Sequence, residues 1–134
     1  MYINEVIIRS EPDLADMIAK ALPVIMKHLK LETLPKIKLM KQIIDKEQPT
    51  FGKYDDKTNT VYLALDNRHP VDILRTFAHE LVHYAQDTRH ELNHDSGATG
   101  SPEENQAHAE AGIIMRHINK LYPEFMHSTN ITLR

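Results

Sequence analysis

At 134 residues, 41% of them hydrophobic and 26% charged, the chain has the length and composition of one soluble globular domain with no room for a second. Its net charge of -3, from 16 Lys and Arg against 19 Asp and Glu, gives no electrostatic basis for a polyanionic partner, so nucleic acid is not expected. No apolar run can span a bilayer, no signal peptide opens the chain and no cysteine is present. The expectation is therefore a cytoplasmic protein in which any metal is held by His, Asp or Glu.

Ile3 to Ile8 is a candidate strand. Ser10, Glu11, Pro12 and Asp13 then supply a capping oxygen, a first-turn proline and acids at the positive dipole end, which start a helix. Leu14, Ile18, Leu22, Ile25 and Leu29 recur at helical spacing as far as about Leu31, with Pro23 expected to kink or interrupt the helix. Met17 and Met26 read as core fillers. Lysines gather between Lys20 and Lys46 and read as a solvated face, since no aromatic residues interleave with them.

From Pro35 the period changes to two, with Ile37, Leu39 and Ile43 on one side and Lys36, Lys38 and Gln42 on the other, so this segment reads as a strand. Thr50 to Tyr54 is a shorter strand. The turn cluster Asp55 to Asn59 leads from it into Thr60 to Leu65, and local antiparallel pairing of the two is expected. After the break at Asp66 to Pro70, the residues Ile73, Leu74, Phe77, Ala78, Leu81, Val82 and Ala85 mark the buried face of a helix ending near Asp87 or Thr88. The polar stretch through Asn93, Asp95, Ser96, Gly97 and Gly100 reads as a loop. Ser101, Pro102, Glu103 and Glu104 open a last helix, packed through Ala107, Ala111, Ile114 and Ile118 and ended by Pro123. The tail from His127 carries no clear signal.

On the strongest of these helices lies His79-Glu80-Leu81-Val82-His83, an H-E-x-x-H pattern. Residues four apart on a helix are turned by about 40° and displaced by about 6 Å, so both imidazoles can grip one cation. Glu80, beside the first histidine, can reach a metal-bound water without itself binding the metal, as a general base must. A chain of this composition shows the pattern by chance in about 4% of shuffles, so its position on an amphipathic helix after a strand is what gives it weight. A third ligand from the metzincin pattern is excluded, because Gln86 and Arg89 stand where Gly and His are required. The remaining candidates are His90, Glu91, His94 and Asp95 in the loop, and Glu103, Glu104 and His108 on the last helix.

The run His79 to Gln86, followed by Ser101-Pro102-Glu103-Glu104-Asn105-Gln106-Ala107, resembles the gluzincin metallopeptidases. It is most similar to small single-domain metallopeptidases of phages and bacteria, in which H-E-x-x-H-x-x-Q is followed by P-x-E-x-E-A. The resemblance covers roughly residues 60–115 and places Glu104 at the ligand glutamate; Gln106 departs from a position that is often acidic. It implies an α+β minimal zincin of minigluzincin type: an N-terminal helix, a small mostly antiparallel sheet, the H-E-x-x-H helix and a C-terminal glutamate helix. It also implies an edge strand beside the active-site helix, able to pair with an extended peptide.

Independently, Glu104 shares a helix face with Ala107, His108 and Ala111, although Ser101-x-x-Glu104 is equally a capping box. Gln86 is placed to orient a neighbouring ligand. His108 has three readings: a fourth ligand, a partner of the ligands, or a group that stabilises an oxyanion. His90, His94 and Tyr84 are further candidates for polarising a substrate carbonyl. His28, His69, His117 and His127 have no visible partner and read as solvated.

The expected activity is zinc-dependent hydrolysis of a peptide or protein substrate, with Zn²⁺ on His79, His83 and Glu104 and with Glu80 as general base. If the chain is phage-encoded, the expected location extends to the host cytoplasm or the virion. The alternatives are a catalytically silent zinc-binding regulator or virion component of the same fold, and a helical interaction module.

Overall fold

The computed structural model describes residues 12–90 and 101–132. The expected strand at Ile3 to Ile8, the cap at Ser10 and the loop from Glu91 to Gly100 lie outside these residues. The elements follow the order α1 (Pro12–Leu29), β1 (Lys36–Met40), β2 (Ile43–Asp45), β3 (Gln48–Thr50), β4 (Gly52–Asp55), β5 (Thr60–Ala64), α2 (Pro70–Thr88), α3 (Pro102–Leu121) and a 3-10 helix at Pro123–His127. Among the described residues this is a small α+β fold with three α-helices and short strands.

In α1 the apolar stripe is buried throughout, and Met17 joins it in the core while Met26 packs at its margin. Of the two expected effects of Pro23, interruption does not occur: the helix runs on through it. Both Pro23 and Ala19, whose carbonyl loses its i+4 donor, are exposed, so water can satisfy that carbonyl. The helix ends in a Schellman turn: Lys30 takes φ 57°, its N–H donates to Lys27 O and the Leu31 N–H to Met26 O.

Among the described residues one sheet has three strands in the order β1-β5-β4. β4 pairs with β5 antiparallel, as local pairing predicted, whereas β1 pairs with β5 in parallel from Lys36↔Thr60 to Met40↔Ala64. Ile37 and Leu39 face the core, with Lys36, Lys38 and Met40 exposed. Ile43 does not continue β1, although its parity agrees. It begins the separate antiparallel hairpin β2–β3, where Lys46 and Glu47 both adopt positive φ and close a two-residue turn. Two of the three strand pairings among the described residues are thus antiparallel.

Helix α2 is the centre of the structure, packed against α1, β4, β5 and α3. Its start is set by Pro70 in the first turn and by His69, whose Nδ1 accepts from the Val71 N–H at 3.0 Å. Ile73, Leu74, Phe77, Ala78 and Leu81 are wholly buried beneath it. Helix α3 packs closely on α2 through Ala107 and Ala111, both buried, whose small side chains let the two backbones approach. Beyond the 3-10 helix, Ile131 is buried and its backbone bridges Arg68.

The solvated reading fails for two histidines. His69 caps α2, and His28 on α1 pairs with Glu110 on α3, a partner 82 residues away that no local pattern reveals. The Lys20 to Lys46 cluster is exposed at every lysine, in keeping with a solvated face. Among the described residues no helix is long and apolar enough to cross a membrane.

Candidate metal centre

Because α2 is regular through its H-E-x-x-H segment, His79 and His83 project from one side, their ring centroids 5.0 Å apart. Facing them is Glu104, in the first turn of α3. Its Oε1 lies 2.7 Å from His79 Nε2 and its Oε2 lies 2.9 Å from His83 Nε2. One ligand atom from each of the three residues falls within 4.8 Å of the others. The capping reading of Glu104 also holds in part, since Ser101 Oγ accepts from the Glu104 N–H at 3.1 Å. Cap and cluster coexist because the cap uses the backbone N–H while both carboxylate oxygens meet imidazoles.

Gln86 fixes the chemistry of His83. Its amide nitrogen donates to the Glu103 carbonyl at 3.0 Å and to Gln106 Oε1 at 2.7 Å, so its oxygen must face His83 Nδ1, 2.8 Å away. That oxygen only accepts, so Nδ1 carries a proton and donates to it, which would leave Nε2 to bind a cation held in the cluster. Gln86 is 1% exposed, so these bonds are not shared with bulk water. Gln106 supplies through its amide oxygen the acceptor that an acid would provide. Burial holds the His79 imidazole below its ordinary pKa; Glu104 opposes this, and His83 and His108 add to it. The neutral ring favoured there is the form that binds cations.

Glu80 lies against β4. It is buried and accepts a hydrogen bond from the Tyr54 backbone N–H. Burial first, and the neighbouring Glu104 charge second, push its pKa up to about 8, against the Tyr54 bond. Gly52 makes this approach of strand to helix possible, because an added Cβ would lie 2.4 Å from Thr76 Cγ2 and 3.3 Å from Glu80 Cγ. Neither the Tyr54 N–H nor Gly52 figures in the sequence reading. A glycine inside a strand pattern is the one available signal of such a close approach.

The donor set fits a divalent cation: two imidazole nitrogens and a carboxylate oxygen, with side chains 14%, 11% and 17% exposed, could hold one, zinc among them. Tetrahedral zinc separates its ligand atoms by about 3.3 Å, a spacing that small side-chain adjustments here would reach. A cation would also offset the two carboxylates, Glu80 and Glu104, that share this partly dry space.

Among the other third-ligand candidates, Glu103 contributes its backbone carbonyl to Gln86, and His90 lies just past the end of α2 with φ 58°. Glu91, His94 and Asp95 lie outside the described residues. Tyr84 directs its hydroxyl to Thr33 at 2.6 Å, which commits the group considered for a substrate carbonyl. His108 is at the cluster: its Nε2 lies 3.3 Å from Glu104 Oε1 and its ring centroid 4.6 Å from that of His79. Comparison of the chain with protein-family models, curated proteins and solved structures finds no match.

Gln86→Ala is expected to lower the affinity for Zn²⁺ by about 10- to 100-fold, because His83 loses the acceptor that fixes its tautomer. It should also cost about 1–3 kcal/mol in unfolding free energy by leaving buried polar groups unpaired. Competition titration and denaturant unfolding of one preparation measure both effects.

Proposed function

We propose that the protein is a zinc-dependent peptidase of gluzincin type, with His79, His83 and Glu104 as metal ligands and Glu80 as the general base. The observation that carries this reading is the convergence of the three ligand atoms within 4.8 Å, with Glu80 adjoining His79 in sequence and backed by β4, at one edge of the sheet among the described residues. The bound cation would supply Lewis acidity and lower the pKa of a coordinated water.

The chain's own residues do the rest. His79, His83 and Glu104 hold the cation, and Gln86 keeps the His83 lone pair aimed at it. Glu80 accepts a proton from the attacking water and delivers it to the leaving amine. A carboxylate whose environment raises its proton affinity to near neutrality is suited to both transfers. β4, next to Glu80 and at a sheet edge among the described residues, would offer backbone groups to an extended peptide.

The test is metal content and turnover measured together on tag-free protein. Wild type is expected to bind one zinc and to cleave a mixed peptide library in a chelator-sensitive way, while His83→Ala and Glu104→Ala lose both properties. Absence of zinc from wild type after reconstitution would overturn the reading. Zinc binding with no cleavage of peptide or denatured protein would favour the silent zinc-binding regulator.

A further inference from the structure

The three-ligand cluster leaves one imidazole at its border with no role in the proposed reaction. His108 stands one turn after Glu104 on α3, so helical geometry places both on one face. Its Nε2 lies 3.3 Å from Glu104 Oε1, the same oxygen that meets His79, and its ring packs edge-on against His79 at 4.6 Å. A separation near 3.3 Å is that between neighbouring ligand atoms of tetrahedral zinc. The His108 side chain is 70% exposed, against 11% for His83, which Gln86 also pins. Rotation of His108 therefore disturbs little packing and costs far less than rotation of either α2 histidine.

A zinc with four protein ligands is closed to water and substrate, and one with three is open. We propose that His108 is a displaceable fourth ligand, which closes the metal centre at rest and leaves it when a substrate or another anionic ligand takes the position. The three donors already converge without His108, and its side chain would complete the set by turning about its own torsions. This rests on the metal-centre reading above and deepens it. The same triad would then be latent with His108 bound and competent with His108 released, and the switch would be a surface side chain rather than a propeptide.

Cobalt substitution of the full chain tests the proposal without using activity. Wild type loaded with Co²⁺ is expected to show the intense visible bands of a four-coordinate ion. His108→Ala should show weaker, five-coordinate bands, at least about tenfold weaker Zn²⁺ affinity, and a response to acetohydroxamate at about tenfold lower concentration. His108→Gln separates ligation from positioning, because glutamine can hydrogen-bond Glu104 yet is a poor ligand for these ions. It should behave as alanine does. A wild-type spectrum retained in His108→Ala, or restored by glutamine, would overturn the proposal. Failure of wild type to take up Co²⁺ would overturn the metal-centre reading and this proposal with it, a result distinct from either variant outcome. Coincident unfolding curves of the three metal-free proteins are expected, since His108 is exposed.

Discussion

Glu80→Gln is expected to abolish peptide hydrolysis, to leave zinc bound, and to make the metal-free protein more stable at neutral and mildly alkaline pH. Loss of a general base removes at least about 10²-fold of turnover, and here the same group would also be the acid that protonates the leaving amine. The stability gain comes from the environment that raises the Glu80 pKa from 4.5 to about 8, namely burial and the Glu104 charge. A group that holds its proton more tightly when folded contributes fully below its unfolded pKa, and that contribution is lost as pH rises through the folded value. Metal-free wild type therefore loses stability progressively between about pH 4.5 and 8, where the folded protein keeps a proton that the unfolded chain releases, on the order of a few kcal/mol at the upper end. Glutamine keeps an oxygen for the Tyr54 N–H and never ionises.

The measurement is unfolding free energy of both metal-free proteins at about pH 6.5 and pH 8, taken as a difference. His79, whose pKa is lowered by burial, titrates below this window and is common to both proteins, so it drops out. A stability difference that widens with pH, in a variant that binds zinc but does not turn over, is a signature of a catalytic carboxylate kept at a cost to folding. Parallel pH curves would show that Glu80 is not strained in this way.

The parts of the fold that the sequence revealed are those written locally. Helix α2 announces itself through periodicity, a proline start and polar punctuation, and ends at Thr88 where the pattern stops. Helix α3 does the same from Ser101 to the stop at Pro123. His79 and His83 follow from one helix alone, because four-residue spacing fixes their common face. Glu104 needs α3 to pack against α2, which resemblance to a family anticipated and helical periodicity could not.

What the sequence concealed depends on distance along the chain or on atoms that every residue shares. The parallel pairing of β1 with β5 spans a hairpin and β4, and alternation carries no information on strand direction. The Tyr54 N–H on Glu80 is a backbone donor with no side-chain signature. The His28 to Glu110 pair joins α1 to α3, and His69 spends its imidazole on a helix cap, a role usually taken by smaller polar side chains.

Zinc addition is expected to raise the thermal midpoint of the wild-type protein by roughly 10 °C, and the increment should be larger at pH 8 than at pH 6. A ligand bound only by the native state stabilises it by RT ln(1 + [L]/Kd), about 4 kcal/mol at a thousandfold excess over Kd. Two features make the increment grow with pH. Cation binding requires deprotonated imidazole ligands, so it strengthens as pH rises. As pH rises towards 8, the proton held by Glu80 burdens the metal-free state, and a cation's charge would favour the ionised carboxylate and relieve this. Chelation reverses the gain. His83→Ala and Glu104→Ala should show at most a small part of it, since each removes one of three converging donors. Glu80→Gln should keep the increment at pH 6 and lose most of its growth towards pH 8, because it has no charge for the cation to offset. An equal zinc increment in wild type, His83→Ala and Glu104→Ala would place the ion elsewhere on the surface, and the pH trend would then follow the exposed histidines instead of the buried carboxylate.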